Sequence, residues 1–197
     1  MIRAEKISKS FDGKKVLSDF TKTFPDSGIV CISGPSGCGK TTMLNILLGL
    51  IKQDSGKVIL SKGLMLSAVF QEDRLFEEMT AAKNIEVVLT GSKDEKKAQA
   101  VKWLKAVELG ECADKKPKEL SGGMRRRVAI ARALAYDAGA VLMDEPFKGL
   151  DDELKMRIFE TVKQQAESRL FIIVTHDKRE AELLGAESME MTNAEND

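Results

Sequence analysis

Short apolar runs punctuate the chain, and longer amphipathic stretches separate them. Ile29 to Ser33, Ala140 to Met143 and Leu170 to Thr175 are such runs. Their length and continuity predict strands buried on both faces, the pattern of a parallel sheet. Met65 to Phe70 reads the same way and ends at Gln71, and Lys57 to Leu60 predicts a short strand. At the N-terminus the rhythm is period two. Met1 to Ser8 alternates weakly and is expected as an edge strand. After a turn at Phe11 to Lys14, Val16 to Phe24 sets Val16, Ser18, Phe20, Lys22 and Phe24 against Leu17, Asp19, Thr21 and Thr23, which predicts an antiparallel partner. Further turns fall at Pro25 to Gly28 and Gln53 to Gly56.

Helical spacing occupies the stretches between. Thr42 to Leu50 predicts a first helix. Lys93 to Leu109 carries Val101, Leu104 and Val107 on one face, with Asp94 to Lys97 as solvated charge. Ser121 is a good N-cap for a helix marked by Met124, Val128, Ala131 and Leu134. Asp151 to Ser168 buries Leu154, Ile158, Phe159 and Val162, and Lys178 to Leu184 forms a last helix before a frayed polar tail from Thr192 to Asp197. Strands alternating with helices, with polar residues at the strands' C-terminal ends, predict an open α/β sheet with a site along that edge. From Arg74 to Ala135 the texture turns to Lys, Ala and Glu. That stretch is expected as an inserted helical subdomain (74–135), leaving 1–73 and 136–197 as the core with its antiparallel strands.

Composition narrows the function classes. The 197 residues are 43% hydrophobic and 31% charged, enough for one core and a solvated surface. Lys+Arg and Asp+Glu both number 31, and this balance disfavours a nucleic-acid partner. No apolar run approaches the roughly 20 residues of a membrane span, and Met1 to Lys6 has no secretory signal pattern, so a cytoplasmic location is expected. Cys31, Cys38 and Cys112 are far apart, which suggests neither a disulfide framework nor a zinc site.

The chemistry centres on Gly34-Pro35-Ser36-Gly37-Cys38-Gly39-Lys40-Thr41-Thr42. It fits G-x-x-x-x-G-K-[ST] between a predicted strand and a predicted helix, the context a phosphate-binding loop requires. Its glycines let successive N–H groups turn toward a phosphate, and the helix adds its positive end. Lys40 would reach the β- and γ-phosphates and Thr41 would offer its hydroxyl to Mg²⁺. A P-loop NTPase core that binds a nucleoside triphosphate is therefore expected.

Other candidates lie on the same edge. Asp144, after an apolar run, suits the second Mg²⁺-organising carboxylate, and the adjacent Glu145 could polarise an attacking water. His176, the sole histidine, is delivered by its strand to that edge, where a neutral imidazole could contact the γ-phosphate or position water. Gln71 could offer its amide oxygen to Mg²⁺ or to water. Cys38 reads as an ordinary loop residue or a thiol near bound nucleotide. Ser121-Gly122-Gly123 at a helix start forms a second anion cradle. A chain that already has one such cradle could use the second on a nucleotide held by another copy of itself.

With Leu120-Ser121-Gly122-Gly123 added to the phosphate loop and Asp144-Glu145, the chain resembles the ATP-binding subunit of ABC transporters from about Ile2 to about Leu184. The resemblance implies Lys40, Thr41 and Thr42 as Walker A contacts, Asp144 as the Walker B carboxylate and Glu145 as the catalytic carboxylate. It implies Gln71 as the Q-loop residue, His176 as the switch histidine, Gly149-Leu150-Asp151 as the D-loop and Phe11 as the aromatic that stacks on adenine. It further implies a head-to-tail dimer with ATP sandwiched between Lys40 of one copy and Ser121, Gly122 and Gly123 of the other. The implied partners are a membrane permease, docked near Gln71 and the helical subdomain, and indirectly a substrate-binding protein. The implied location is the inner face of the cell membrane. Gln71-Glu72-Asp73-Arg74-Leu75 is similar to the nitrate, sulfonate, taurine and thiamine-precursor importers. Met124 departs from the Gln usual after the signature glycines. The end of the chain soon after His176 implies that a regulatory C-terminal domain is absent and the last strands of the sheet reduced. Arg125-Arg126-Arg127 is expected as helix surface and interface. A soluble ABC ATPase acting on DNA or ribosomes is the competing reading, but residues 71 to 121 leave no space for a long coiled coil. A phosphate-loop kinase is disfavoured by the signature stretch and Glu145-Pro146.

Overall fold

The computed structural model describes residues 1–194; part of the polar tail expected from Thr192, residues 195–197, lies outside the described residues. Five parallel strands form the central sheet: β3 (Gly28–Ser33), β5 (Leu66–Val69), β6 (Ala140–Asp144), β7 (Leu170–Val174) and β8 (Glu187–Glu190), in the order β5-β6-β7-β3-β8. The continuous apolar runs are β3, β6 and β7, and they are continuous because both faces are covered. Alternate residues feed two different cores. Ile29, Cys31, Val141, Met143, Phe171 and Ile173 point to one, and Val30, Ile32, Leu142, Leu170, Ile172 and Val174 to the other. Each large apolar side chain buried this way contributes about 1.5–3 kcal/mol.

One core packs under α2 (Ala81–Glu86), α3 (Lys93–Ala106), α4 (Gly122–Ala135), α5 (Asp152–Ala166) and α6 (Lys178–Leu184); the other packs under α1 (Lys40–Leu47) and a second sheet. That sheet is antiparallel, β2-β1-β4, built from β1 (Ile2–Phe11), β2 (Lys14–Phe24) and β4 (Ser55–Leu60). The first strand is therefore central rather than an edge, and Ile2, Ala4 and Ile7 are fully buried. The simple alternation expected for β2 also fails. Leu17 and Phe24 are both buried although they belong to opposite sets. Register shifts in the β1–β2 ladder and a left-handed Asp19 (φ 48°) change the phase in mid-strand. Asp19 N–H donates to Ser8 Oγ, which holds the irregularity in place.

Two elements carry no strong sequence signal. Helix α2 has six residues, and only its Thr80 cap, accepting from the Lys83 N–H, marks it. Strand β8, Glu-Ser-Met-Glu, is an edge strand whose residues are largely exposed, so it has no apolar run to announce it. It pairs with Val30 to Ser33 in parallel. No described helix is long and apolar enough to cross a membrane. Because the large sheet is parallel, β3, β5, β6 and β7 all deliver their C-terminal loops to one edge.

Candidate functional site

Strand β3 ends in the phosphate loop, and the loop closes on the start of α1. Gly39 precedes the helix with φ 98°, no side chain caps the helix and no acid lies in its first turn. Its N-terminal N–H groups are thus left to an anion. Two glycines are sterically required. A Cβ on Gly39 would lie 2.8 Å from Val16 O, and one on Gly34 2.2 Å from Met191 O, just past β8. The Lys40 ammonium turns back into the loop and donates to Gly34 O (2.8 Å) and Pro35 O (2.9 Å). Those carbonyls hold a buried cation where an anionic ligand would engage it. Cys38 is buried, its Sγ 3.7 Å from Lys40 Nζ, and serves as packing inside the loop.

Strand β6 is not the neighbour of β3, because β7 lies between them. Helix α1 spans the gap. Thr41 Oγ1 donates to Asp144 Oδ2 at 2.7 Å, and Asp144 is buried. Glu145 follows in a left-handed backbone conformation (φ 50°), its N–H donating to Val174 O at 2.9 Å. This aims its largely buried side chain back along the sheet edge, where Oε1 comes within 3.0 Å of His176 Nε2. That approach lacks hydrogen-bond alignment, so Glu145 Oε1 is buried without a donor. Burial pushes the Glu145 carboxyl up; His176 opposes the rise, and the Asp144 and Glu180 charges add to it. His176 is half exposed. Its turn is pinned by the preceding Thr175, whose hydroxyl donates to Glu180 Oε2 (2.5 Å), while Glu180 pairs with Lys155 at 3.0 Å.

A cavity of about 420 Å³ joins these parts. Ser36, Gly37, Gly39, Lys40, Thr41, Thr42, Gln71, Asp144, Glu145 and His176 line it. Val16 and Lys148, which sequence patterning does not single out, line it too. Phe11 stands apart from this lining. It is half exposed at the end of β1, with Lys9 Nζ 5.2 Å from its ring centroid.

Ser121, Gly122 and Gly123 also fall outside the cavity. Ser121 caps α4 by accepting from the Met124 N–H (3.3 Å), and Gly123 lies close to Gly149 and Leu150. Asp151 caps α5. Among the three arginines that follow, the expectation of a surface position fails for Arg126, which is 5% exposed. Its guanidinium donates to backbone carbonyls at the ends of both β5 and β6. A sequence pattern cannot show this, because the acceptors are carbonyls distant along the chain.

Comparison with known proteins agrees with this geometry. The spermidine/putrescine import ATP-binding protein PotA of Haemophilus influenzae is 37% identical over 195 residues, covering 92% of this chain and 52% of that protein. The sulfate/thiosulfate import ATP-binding protein CysA of Yersinia pseudotuberculosis is 37% identical over 198 residues, covering 91% and 54%. The chain thus spans about half the length of the curated relatives it matches. A post-hydrolysis dimer of the ATP-binding cassette MJ0796, bound to ADP and Pi, superposes with a TM-score of 0.91 at 28% identity, covering 98% of this chain and 97% of that one. The family model described as ABC transporter matches residues 17–148, and the chain belongs to that family.

Proposed function

We propose that this chain is the ATP-hydrolysing subunit of an ABC transporter, and that it works as a head-to-tail dimer powering import through a separate permease. One observation carries the reading. Lys40, the Thr41–Asp144 pair, Glu145 and His176 converge on one cavity, while Ser121, Gly122 and Gly123 stay outside it. The cavity is then half of a site, and the second copy supplies the other half.

In this reading the Gly34 to Thr42 backbone and the Lys40 ammonium bind the β- and γ-phosphates, and the exposed Phe11 ring is offered to adenine. The donor set fits Mg²⁺: a hydroxyl (Thr41), a carboxylate (Asp144) and an amide oxygen (Gln71) are hard oxygen ligands, few enough to leave room for waters and phosphate. Bound with ATP, Mg²⁺ supplies charge neutralisation on the phosphates. Glu145, with a buried oxygen lacking a donor, orients and polarises the attacking water, and His176 holds the Glu145 carboxylate and the γ-phosphate side in register. Ser121, Gly122 and Gly123 of the second copy present N–H groups to the γ-phosphate. ATP therefore favours the closed dimer, and hydrolysis with product release favours the open one.

Residues 1–73 and 136–197 act as the nucleotide-binding body and 74–135 as the helical one. The groove beside Gln71 receives the permease at the inner face of the membrane, and a substrate-binding protein feeds that permease. Support for import comes from the relatives' names, and support for the nitrate, sulfonate and taurine group from Gln71 to Leu75 alone. No nucleic-acid partner is proposed.

Complementation tests the composite site. Lys40→Ala and Ser121→Arg chains are each expected to be inactive. Mixed, they should recover about one quarter of wild-type turnover, because about half of random dimers are mixed and each holds one intact site. No recovery in a mixture shown by mass spectrometry to contain mixed dimers would sink the head-to-tail arrangement.

A further inference from the structure

The guanidinium of Arg126 is buried in α4, and its partners are unusual for a charge. Nε donates to Pro146 O (3.2 Å), and Nη2 to Asp144 O (2.8 Å) and Glu145 O (2.6 Å). Nη1 donates to Phe70 O, to Gln71 O (3.2 Å) and, at 3.5 Å, to Asp73 Oδ1. Backbone carbonyls, rather than a close carboxylate, solvate this cation. Burial draws its pKa down, and Asp73 is the largest influence opposing that. A planar fork with five N–H groups can serve such a cluster; a Lys ammonium, with three donors on one atom, cannot reach both strand ends at once.

The acceptors are arranged around one strained residue. Asp144 O, Glu145 O and Pro146 O bracket the backbone torsions of Glu145, which is left-handed without being glycine. That conformation is strained for a residue with a Cβ and persists only where the surroundings impose it. Phe70 O and Gln71 O belong to the loop after β5. Arg126 itself stands one turn into the helix that Ser121 caps.

We infer that Arg126 is a positioning residue for hydrolysis: it clamps the Glu145 backbone and the Gln71 loop to the signature helix, so that the Glu145 carboxylate faces the γ-phosphate. The inference deepens the ATPase reading and rests on it. Arg126 is not part of the cavity lining and acts through Glu145 and Gln71. Binding of ATP depends on the phosphate loop, which Arg126 does not contact, so its loss should fall on turnover and spare affinity.

The test is a split between binding and turnover in the purified chain. Arg126→Met and Arg126→Lys are compared with wild type for ATPase kcat, amide exchange, and affinity for a fluorescent ATP analogue. The expected result is a kcat lower by at least about 10-fold for both variants, since small displacements of a catalytic group cost that much. Affinity should stay within about two-fold. Amide exchange should quicken at 70–73 and 144–147 ahead of the rest of the chain. If Arg126→Met does not fold, Arg126→Lys, which keeps the charge, is read against the same expectations. A folded variant with wild-type kcat overturns the inference, as does a fall in kcat matched by equal losses of affinity and melting temperature. Wild-type protein that binds but never hydrolyses ATP would instead remove the ATPase reading.

Discussion

The two halves of the nucleotide cavity are built in opposite ways. The phosphate loop is contiguous: Gly34 to Thr42 supply the turn, the N–H groups, the cation and the helix start. The side proposed for hydrolysis is assembled from afar. Glu145 follows β6, His176 follows β7, Gln71 follows β5, and Arg126 ties two of these ends together from α4. A contiguous cradle depends on local backbone geometry. A dispersed one depends on the register of three strands and on one buried cation. The first should fail through loss of binding, and the second through loss of turnover with binding retained.

Breaking each half should separate those effects. The largest change is expected for Lys40→Ala, which removes the cation at the phosphate end and should lower ATPase kcat/KM by about 10³-fold, with ATP binding lost in a calorimetric titration. Normal turnover would remove the phosphate-loop assignment. Next, Glu145→Gln should cut kcat by about 10²-fold while ATP still binds. ATP should then trap a dimer, visible as a shift in gel-filtration elution. Hydrolysis at the wild-type rate would deny Glu145 its role. Since burial raises the Glu145 pKa, the acid limb of wild-type kcat should lie above the ordinary glutamate range near pH 4.3.

Smaller effects probe how the dispersed half is supported. Phe147, fully buried two residues after Glu145, meets Phe159 edge-to-face at 4.7 Å. Phe147→Leu should cost about 1–2 kcal/mol, a melting point lower by about 2–8 °C, and should lower kcat more than ATP affinity. An unchanged melting point would show that this anchor is dispensable. The smallest effect concerns stability and pH. A carboxyl whose pKa is raised by folding stabilises the chain below its unfolded pKa, and that contribution is lost as pH rises through the folded pKa. Glu145→Gln should therefore raise the melting temperature slightly at neutral pH, with the gain vanishing toward pH 4. A uniform gain at all pH values would mean that ionisation of Glu145 is not what burial opposes.

Sequence alone was enough wherever the physics is local or one-dimensional. The phosphate loop needs particular residues at fixed spacing. The continuous runs of β3, β6 and β7 are apolar because both faces of a central strand are covered, so strand and burial were readable together. The cap at Ser121 bonds three residues away, and it too was readable. The tertiary structure decided what depends on residues far apart. It placed β1 in the centre of its sheet, since an antiparallel strand looks alike with one partner or two. It reset the phase of β2 at Asp19, because a bulge is a property of a pair of strands. It revealed β8, an exposed edge with no hydrophobic signature, whose end lies against Gly34. It left Phe11 outside the cavity and put Val16 on its wall, because hairpin register decides which side chain reaches the loop, and it brought Lys148 there with the turn after β6. It drew Arg126 inward, because the carbonyls that solvate its charge come together only when β5 and β6 lie side by side.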